Sequence, residues 1–307
     1  MKILIVANSN PGHLAPFVIE QMEALKSTGV IIDTYGIVGK GYWGYLRNRR
    51  GLKKKIREFM PDLIQAYYGL SGLCANLQRE VPVVTTYLGS DIHSGGLILK
   101  LSRLTMFLSK YNIFLTKNLY DISGYKGKKK CILPLGVPLD AIQNIPRILA
   151  KNKLGKHDGF VLFAGSFDNI IKNADLAKEA MQKIAGVELV ELKGYSRDEV
   201  FMLMNAADCL LITSHREGSP QVIKEAMACG TPIVSVDVGN VKEVISGTEG
   251  CYFAERNPDD IAAKIKMALD FKGKTNGRQR IIDLGLSNDR VAKKLIEVYH
   301  KVLATSR

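Results

Sequence analysis

The sequence predicts an α/β protein made of two doubly wound domains, because short apolar runs alternate with helical patterns along its whole length. Its 307 residues are enough for two domains of about 150 residues, each with a core of its own. Residues 133–138, Leu-Pro-Leu-Gly-Val-Pro, break both periodicities and mark a junction. We therefore expect one domain over residues 1–137 and a second over residues 138–287.

The apolar runs place the strands of both domains. In the first half we predict strands near residues 2–7, 31–36, 62–66, 82–86, 111–115 and 131–133, and helices near 14–27, 47–59, 71–79 and 97–109. In the second half we predict strands near residues 159–164, 187–191, 209–213, 232–236 and 250–252. These runs are too short to cross a bilayer, and residues 1–7 lack the h-region and cleavage site of a signal peptide.

Several chemistries are disfavoured by the absence of their motifs. The five cysteines are far apart with no Cys-x-x-Cys pair, which argues against zinc or redox sites and favours a cytoplasmic location. The five histidines form no metal-binding pattern and there is no Asp-x-Asp, so we predict no metal site. The loop after the first strand lacks Gly-x-Gly-x-x-Gly, and no Gly-x-Ser-x-Gly occurs, so neither a dehydrogenase nor a serine hydrolase is expected.

The net charge of +13 is concentrated in the first half of the chain. Residues 1–150 hold 20 Lys and Arg against 9 Asp and Glu, an excess of 11, whereas residues 151–307 hold 23 against 21. The cations cluster in residues 47–57, behind Tyr42, Trp43 and Tyr45, and again in residues 126–130. Basic clusters beside interfacial aromatics predict an anionic membrane surface as partner, with a solvated basic face as the alternative. Nucleic acid is not the expected partner, because no nucleic-acid-binding module accompanies the charge.

The most informative stretch is residues 210–245, where an apolar strand leads into a loop and a helix with two acids eight positions apart, Glu217 and Glu225. Ser219 and Pro220 predict the helix start, with the serine as cap and the proline at the first helical position. Glu225 then lies roughly 9 Å along the axis, and bare backbone amides lie between the two acids. This arrangement suits a nucleotide-sugar, with ribose hydroxyls on Glu225, the diphosphate at the helix N-terminus and the sugar facing Glu217.

The string from Glu217 to Glu243, Glu-Gly-Ser-Pro-Gln-x3-Glu-Ala-Met-Ala-Cys-Gly-Thr-Pro-Ile-Val-Ser-x3-Gly-x3-Glu, resembles the donor-binding segment of retaining family-4 glycosyltransferases. The resemblance implies the GT-B fold, two Rossmann-like domains facing a central cleft, with a last helix over residues 288–307 that crosses back to the first domain. It implies a nucleoside-diphosphate sugar as donor substrate and no other cofactor. It also implies that Gly218, Ser219, Pro220 and Gln221 contact this donor.

Further site residues follow from the same resemblance. The family pattern after the first strand of the second domain is Gly-Arg and then a Lys, two cations that neutralise the leaving diphosphate. Lys172 matches the Lys and is expected to be catalytic with Glu217, whereas Ser166 stands where the Arg is usual. Arg216 or Lys193 could supply the missing charge. Tyr195, after the second strand of this domain, is a candidate contact to the base.

The first domain departs from the family pattern on its acceptor side. Gly12, in the loop after the first strand, is expected to face the donor and acceptor. Leu88 stands before Gly-x-Asp, where many members carry a His that contacts the transferred sugar. Gln65 and Tyr67 likewise replace both His of a His-x-His-Tyr-Gly pattern. A leucine cannot donate a hydrogen bond.

The combined hypothesis is a retaining glycosyltransferase that moves a sugar from a nucleoside-diphosphate sugar to a glycan or lipid-linked acceptor. Its place would be cell-surface glycan or polysaccharide biosynthesis, peripheral on the cytoplasmic face of a membrane. The departures at Ser166 and Leu88 leave open a catalytically weakened nucleotide-sugar-binding protein. A GT-B nucleotide-sugar epimerase and a nucleic-acid-binding α/β protein are further alternatives.

Overall fold

The structure, a computed structural model, describes residues 1–10 and 12–305 and divides into two compact units. The first unit is Met1–Gly136 together with the C-terminal segment that begins at Asn288, and the second is Val137–Ser287. Each unit contains one fully parallel sheet with helices packed against it. This is the fold class that the alternation of apolar runs and helical patterns predicts.

The first sheet has six strands in the spatial order β2-β1-β3-β4-β5-β6. Their bounds are β1 Lys2–Asn8, β2 Ile31–Ile37, β3 Leu63–Tyr67, β4 Val83–Tyr87, β5 Tyr111–Phe114 and β6 Lys130–Ile132. All six predicted strands are present. The central strands are apolar on both sides because helices cover both faces, and Ile3, Leu4, Ile5 and Val6 are fully buried.

Seven helices of the first unit precede the junction among the described residues. They are α1 Pro16–Lys26, α2 Gly41–Arg47, α3 Arg49–Phe59, α4 Gly69–Asn76, α5 Ser90–His93, α6 Gly96–Leu108 and α7 Lys117–Ser123. The helix predicted near residues 47–59 is present as α3, whereas α2 was not predicted, and Asn48 forms the corner between the two helices. The Asn48 amide donates to the carbonyl oxygens of Val38 (2.9 Å) and Gly44 (2.7 Å), which fixes this corner.

The second sheet has five strands in the order β11-β10-β9-β7-β8. The strands are β7 Gly159–Phe163, β8 Val187–Glu191, β9 Cys209–Ile212, β10 Ile233–Val236 and β11 Cys251–Ala254. The helices are α8 Arg147–Leu154, α9 Ala174–Met181, α10 Arg197–Ala206, α11 Gln221–Ala228, α12 Val241–Ile245, α13 Pro258–Asp270 and α14 Gly277–Asp283, with a 3₁₀ turn at Ile170–Lys172. The last helix, α15 Asn288–Ala304, belongs to the first unit. Within the described residues, no helix combines the length and apolarity that crossing a bilayer requires.

The strand order fixes where ligands can bind. In both sheets the first strand lies between the second and the third, as in β2-β1-β3 and β8-β7-β9. Chain connections leave the first strand and the third strand toward opposite sides of such a sheet, so a crevice opens beyond their carboxyl ends. The loops after β1 and β3, and those after β7 and β9, are therefore the positions at which each unit can hold a ligand.

Helix α4 is buried along its entire length, which is unusual for a helix on the surface of a sheet. It packs on β3 and β4 and lies along α6. The close approach requires glycine, because a Cβ on Gly72 would lie 2.6 Å from Thr85 Oγ1 and 2.7 Å from Thr105 Cγ2. Helix α4 is thus an internal layer of the first unit.

Helix α15 completes the opposite side of the first unit. Val291, Leu295 and Val302 are buried in the same core cluster as Ile3 and Ile5 of β1. The hydroxyl of Tyr299, which is fully buried, donates to Gln65 Oε1 at 3.0 Å, and Gln65 Nε2 donates to Thr86 Oγ1 at 2.9 Å. This buried polar chain connects the C-terminal helix to two strands of the first sheet.

We expect Tyr299→Phe to lower the free energy of unfolding of the first unit by about 1–3 kcal/mol, because it leaves Gln65 Oε1 buried without its donor. Urea unfolding followed by the fluorescence of Trp43, the single tryptophan, reports on this unit. Tyr42→Phe, at a side chain that is 39% exposed, is the matched control and should change the value by no more than about 0.5 kcal/mol. Equal stability of the two variants would contradict a structural role for the hydrogen bond.

Candidate functional site

The crevice of the second sheet brings together the two residues predicted to be catalytic. Lys172 ends the 3₁₀ turn in the loop after β7, and Glu217 lies in the loop after β9. Lys172 Nζ donates to Glu217 Oε1 at 2.7 Å, and the Ser214 hydroxyl donates to the same oxygen at 2.9 Å. The side chains are 22% and 16% exposed, so the ion pair is partly shielded but reachable by a ligand.

Hydrogen bonds to backbone carbonyl oxygens also join the loop after β7 to the loop after β9. Thr213 Oγ1 donates to the carbonyl oxygens of Lys172 (3.0 Å) and Asn173 (2.8 Å), and the His215 N–H donates to the Ile171 carbonyl at 2.9 Å. The Lys172 side chain crosses Gly165, where an added Cβ would lie 2.8 Å from Lys172 Cγ. Glycine at this position lets the lysine reach Glu217.

Arg256 also holds the Glu217 loop, and sequence reasoning did not find it. Its guanidinium donates to three successive carbonyl oxygens, those of Thr213 (3.3 Å), Ser214 (2.8 Å) and His215 (3.3 Å). Arg256 follows β11, about 40 positions from the loop it holds, and no local pattern connects the two segments. Only the order of the strands in the sheet places this arginine at the site.

The N-terminus of α11 differs from the prediction. The helix begins at Gln221, Pro220 is its N-cap rather than its first residue, and no side chain from residues 1–10 or 12–305 caps it. Ser219 lies one position too early to reach the first-turn amides, so the predicted serine cap is wrong. Its Oγ is instead buried with no hydrogen-bond partner in the described part of the chain. An uncapped helix start beside an unsatisfied hydroxyl is a favourable place for an anion.

Glu225 lies inside α11 and is almost completely buried. Its Oε1 accepts a hydrogen bond from the Arg197 guanidinium at 2.7 Å, and that guanidinium stacks on the Phe201 ring, 4.6 Å from its centroid. Arg197 begins α10 and was not predicted. The neighbouring Lys224 is also buried, and burial lowers the pKa of its ammonium to about 7, with Glu225 opposing the shift.

The opposite end of α11 is held by cations. Lys274 Nζ donates to the Cys229 carbonyl at 2.8 Å, and Arg278 donates to the Ala228 carbonyl at 3.2 Å. Positive groups at a helix C-terminus satisfy its last carbonyls and complement the dipole. The helix is therefore anchored at its C-terminal end and has an uncapped N-terminus at the crevice.

The remaining predicted residues lie around this centre. The Ser166 hydroxyl bonds to Asp168, and Lys193 Nζ lies 2.8 Å from the same carboxylate, so hydrogen bonds from Lys193 and Ser166 lower the pKa of Asp168. Lys193 thus brings a cation to the loop of Ser166, although that cation is already paired. Arg216 and Tyr195 are exposed.

The backbone of Gly218 packs against the loop after β10. A Cβ on Gly239 would lie 2.9 Å from the Gly218 carbonyl oxygen, so the two segments approach closely. Gln221, the first residue of α11, begins the helix next to this contact. The segment from Glu217 to Gln221 is therefore fixed by neighbours on both sides.

The first unit has a separate cavity of about 630 Å³ at the carboxyl ends of β1 and β3. Its walls are mostly apolar, and their larger members are Phe17, Tyr45, Tyr67, Tyr68, Leu88 and Ile98. Asn8, Asn10 and His13, from the loop after β1, add polar groups. Such a cavity is of the size that small-molecule sites occupy.

Gly12 lies in this loop, and Pro11, beside it, is outside the described residues. Its φ of +88° requires glycine, and its N–H closes a turn on the Ser9 carbonyl at 2.9 Å. Nothing lies within 4 Å of an added Cβ, so the conformation explains the glycine rather than crowding. Whether it contacts donor or acceptor stays a prediction.

Asp91 holds the far wall of the cavity. Its buried carboxylate accepts the backbone N–H groups of Gly69 (3.0 Å), Gly89 (2.9 Å) and Leu88 (3.1 Å), which ties the end of β3 to the end of β4. Burial raises the pKa of Asp91 to about 6, although these backbone hydrogen bonds oppose the shift. Tyr68, at the same place, has φ +83°, a costly conformation for a non-glycine residue that is frequent at functional sites.

The two positions where the family pattern has His-x-His differ in their surroundings. Tyr67 lines the cavity, and its hydroxyl bonds to Gln21. Gln65 is fully buried in the sheet and bonded to Thr86 and Tyr299, so it takes part in the core and not in the cavity. Leu88 lines the cavity, at the position where the resemblance implies a sugar-contacting histidine.

Comparison with known proteins shows what the second unit resembles. The family model "Glycosyl transferases group 1" matches residues 139–270. D-inositol 3-phosphate glycosyltransferase of Geodermatophilus obscurus is 25% identical over 224 residues, 60% of this chain and 50% of that protein. Glycosyltransferase MJ1178 of Methanocaldococcus jannaschii is 27% identical over 259 residues, 72% of this chain and 69% of that protein. This chain therefore matches only half the length of the first relative.

Solved structures show the fold. Sucrose-phosphate synthase from Thermosynechococcus elongatus superposes with a TM-score of 0.82 at 16% identity, covering 99% of both chains. HepE from Anabaena, in complex with UDP, gives 0.73 at 15% identity over 98% of this chain and 100% of HepE. A UDP-GlcNAc 2-epimerase from M. jannaschii gives 0.63 at 13% identity over 98% and 100% of the two chains. The fold is GT-B, as predicted, and residues 139–270 match the family model of group 1 glycosyl transferases.

The raised pKa of Asp91 predicts a pH-dependent stability. The folded protein holds the proton more tightly than the unfolded chain, so this contribution is fully present below about pH 4 and is lost as the pH rises through about 6. We expect the stability of wild type relative to Asp91→Asn to fall over this range by on the order of 2–3 kcal/mol. Urea unfolding at several pH values measures it.

Asp33→Asn is the control for this pH series. Burial opposes the shift, but hydrogen bonding and attraction from Lys55 lower the pKa of Asp33. Its contribution is therefore present above about pH 4 and should stay constant between pH 5 and pH 7. A wild-type advantage over Asp91→Asn that does not vary with pH would show that the Asp91 carboxyl titrates in the folded protein as it does in the unfolded chain.

Proposed function

We propose that this protein is a retaining glycosyltransferase that transfers a sugar from a nucleoside-diphosphate sugar to an acceptor in cell-surface glycan or polysaccharide biosynthesis. The observation that carries the proposal is the arrangement at α11. The Lys172–Glu217 ion pair and the Arg197-bound Glu225 lie on either side of a helix start that has no side-chain cap and, among the described residues, a Ser219 hydroxyl without a hydrogen-bond partner. Along the site, an acid is followed by hydrogen-bond donors and then by a second acid. This order matches the sugar, the diphosphate and the ribose of a nucleoside-diphosphate sugar.

In the proposed complex the diphosphate binds at the first-turn amides of α11 and the Ser219 hydroxyl. A dianionic group there competes with Glu217 for Lys172, because both attract the same ammonium over a short distance. Lys172 then stabilises the charge that develops as the bond between the anomeric carbon and the phosphate oxygen breaks. Glu217, released from Lys172, is free to accept hydrogen bonds from the sugar.

Nucleoside recognition falls to Glu225 in this proposal. A carboxylate has about four acceptor positions, so one hydrogen bond from Arg197 leaves room for both ribose hydroxyls. The new bond joins the acceptor oxygen to the anomeric carbon, and the hydroxyl proton leaves with the departing phosphate. Retention of configuration rests on the resemblance to family-4 enzymes, in which the departing phosphate assists attack on the same face.

The nature of the donor is supported by HepE, which was solved with UDP. Two observations support the alternatives. Ser166 lacks the cation and Leu88 lacks the imidazole of the family pattern, which is what a weakened binding protein would show. A UDP-GlcNAc 2-epimerase shares the fold. Release of free nucleoside diphosphate only when acceptor is present separates a transferase from a binding protein and from an epimerase. No metal or cofactor is part of the proposal.

An anionic membrane surface is the proposed partner of the first unit, on the cytoplasmic face. The excess of 11 cations over anions in residues 1–150 supports it. Co-sedimentation with vesicles should require anionic lipid and weaken as salt rises, because the screening length falls from about 10 Å at 0.1 M to about 3 Å at 1 M. Equal binding to neutral vesicles would contradict this partner.

The two acids are expected to respond differently to removal. Glu225→Ala should weaken UDP binding by about 10- to 150-fold, since a hydrogen bond to a charged group contributes roughly 1.5–3 kcal/mol. Glu217→Ala should leave UDP affinity nearly unchanged and lower turnover instead. Titration calorimetry and product formation measure the two effects. If UDP fails to bind wild type, a thermal-shift panel with GDP and ADP identifies the base, because a ligand at 100 times its Kd stabilises by about 2.7 kcal/mol.

Glu179→Ala is the matched control for both acids, because this exposed glutamate lies on α9, away from the crevice. It should bind nucleotide and turn over like wild type. If both Glu225→Ala and Glu217→Ala also behave like wild type, the donor site has been assigned to the wrong residues.

A further inference from the structure

Three helices of the first unit pack around its buried helix α4. Helices α2, α3 and α6 all pack on the buried α4. Tyr45 of α2 and Leu52 of α3 share one core cluster with Leu70 of α4, and Leu101 of α6 packs against that cluster. We call the solvent-exposed sides of α2, α3 and α6, which all pack on the same buried helix, the outer face.

The outer face exposes large apolar side chains. Phe107 is 84% exposed, Trp43 64%, Leu97 53% and Leu104 46%. Leu97, Leu104 and Phe107 follow one another at intervals of seven and three residues, which places them on one side of α6. Apolar groups concentrated on one surface usually mark a contact with another molecule or with a membrane.

Basic side chains accompany these apolar groups on α3 and α6, and they outnumber the acidic side chains of these two helices. On α3, Arg50, Lys53, Lys54 and Arg57 line one shallow depression together with Glu58. On α6, Lys100 and Arg103 lie among the apolar residues, and the sequence Gly96–Leu108 contains no acid. Lys55, which belongs to the predicted basic cluster, is instead paired with Asp33 at 2.5 Å.

We infer that the outer face docks on an anionic lipid bilayer, with the apolar side of α6 and Trp43 inserted among the lipids and the α3 cations against the headgroups. Cations around an apolar stripe fit this occupant, because lipids offer negative headgroups above an apolar interior. A second copy of this chain would oppose like charges, and nucleic acid would leave Phe107 and Leu104 in water. The inference rests on the membrane partner proposed above and is independent of sugar transfer.

Insertion of the outer face into a bilayer would also bring the cavity of the first unit next to the lipids. Tyr45 of α2 and Ile98 of α6 belong to the cavity wall, while their neighbours Trp43 and Leu97 are exposed on the same helices. The docked helices therefore border both the bilayer and the cavity. An acceptor carried by a lipid could enter the cavity without leaving the membrane.

Trp43 is a natural probe of this surface, because it is the single tryptophan of the chain. The experiment mixes the full chain with vesicles of equal parts phosphatidylglycerol and phosphatidylcholine, without donor or acceptor. We expect Trp43 emission to move to shorter wavelength and to be quenched by phosphatidylglycerol brominated on its acyl chain. Vesicle binding without quenching would mean that the protein stays at the headgroups, and the inserted outer face would be wrong.

Paired variants separate insertion from charge attraction. The double variant Leu104→Ser with Phe107→Ser should reduce partitioning into these vesicles by about tenfold or more, because each side chain loses its transfer from water. The control is Ile148→Ser with Leu149→Ser on α8 of the second unit, where the side chains are 65% and 51% exposed, and it should bind like wild type.

Three results would overturn the inference. Unchanged vesicle binding of the α6 double variant would mean that the first unit is attracted to the anionic lipids by charge alone, without insertion. An equal loss in the α8 control would show that any exposed apolar pair binds lipid. Tight binding to duplex DNA, or self-association that the α6 variant abolishes, together with no binding to vesicles, would identify a different occupant. Circular dichroism of each variant confirms that it is folded, and Leu104→Gln with Phe107→Gln repeats the test if the serine pair is not.

Discussion

Both units depend on one constraint, the position of the first strand between the second and the third in a fully parallel sheet. This order forces the loops after the first and third strands to meet at one edge. In the second unit those loops carry Lys172 and Glu217, which close to 2.7 Å, and in the first unit they carry the walls of the cavity. Residues 45 positions apart thus become partners because of topology, and the loop glycines only permit the contact.

The electrostatics of the proposed donor site follow from how α11 is held. Its C-terminal carbonyls accept hydrogen bonds from Lys274 and Arg278, whereas within the described residues its N-terminus has neither a capping side chain nor a partner for the Ser219 hydroxyl. Leaving a buried hydroxyl unsatisfied costs stability, typically about 1–3 kcal/mol. A site that offers donors to an anion explains that cost, since bound phosphate would satisfy the donors. The backbone of Tyr68 in the first unit is comparable, because its positive φ costs conformational free energy at a position beside a cavity.

Sequence reasoning reached the strands, the fold class and the residues of the α11 segment, because those depend on local periodicity and on a continuous motif. It missed α2, which Asn48 separates from α3, and it was wrong at the start of α11, where Pro220 takes the cap position that Ser219 was expected to hold. It could not find Arg197 or Arg256, whose partners lie about 30 and 40 positions away. It also could not tell that Gln65 belongs to the core and Tyr67 to the cavity. The two residues lie on the same face of β3, and they differ in that Tyr67 is the last residue of the strand, next to the cavity, whereas Gln65 lies inside the sheet.

The two units differ in the chemistry they offer, and this difference is consistent with two kinds of substrate. The crevice of the second unit is built from ion pairs and backbone donors, which suits a charged and water-soluble donor. The cavity of the first unit is built from tyrosines, Phe17 and aliphatic side chains, and the apolar Leu88 stands at the position where the family pattern has histidine. The leucine is therefore in keeping with the mostly apolar side chains around it. What appears in the sequence as a missing polar residue is, in the structure, part of the apolar portion of the cavity wall, and that portion fits the proposed acceptor if the acceptor carries an apolar group.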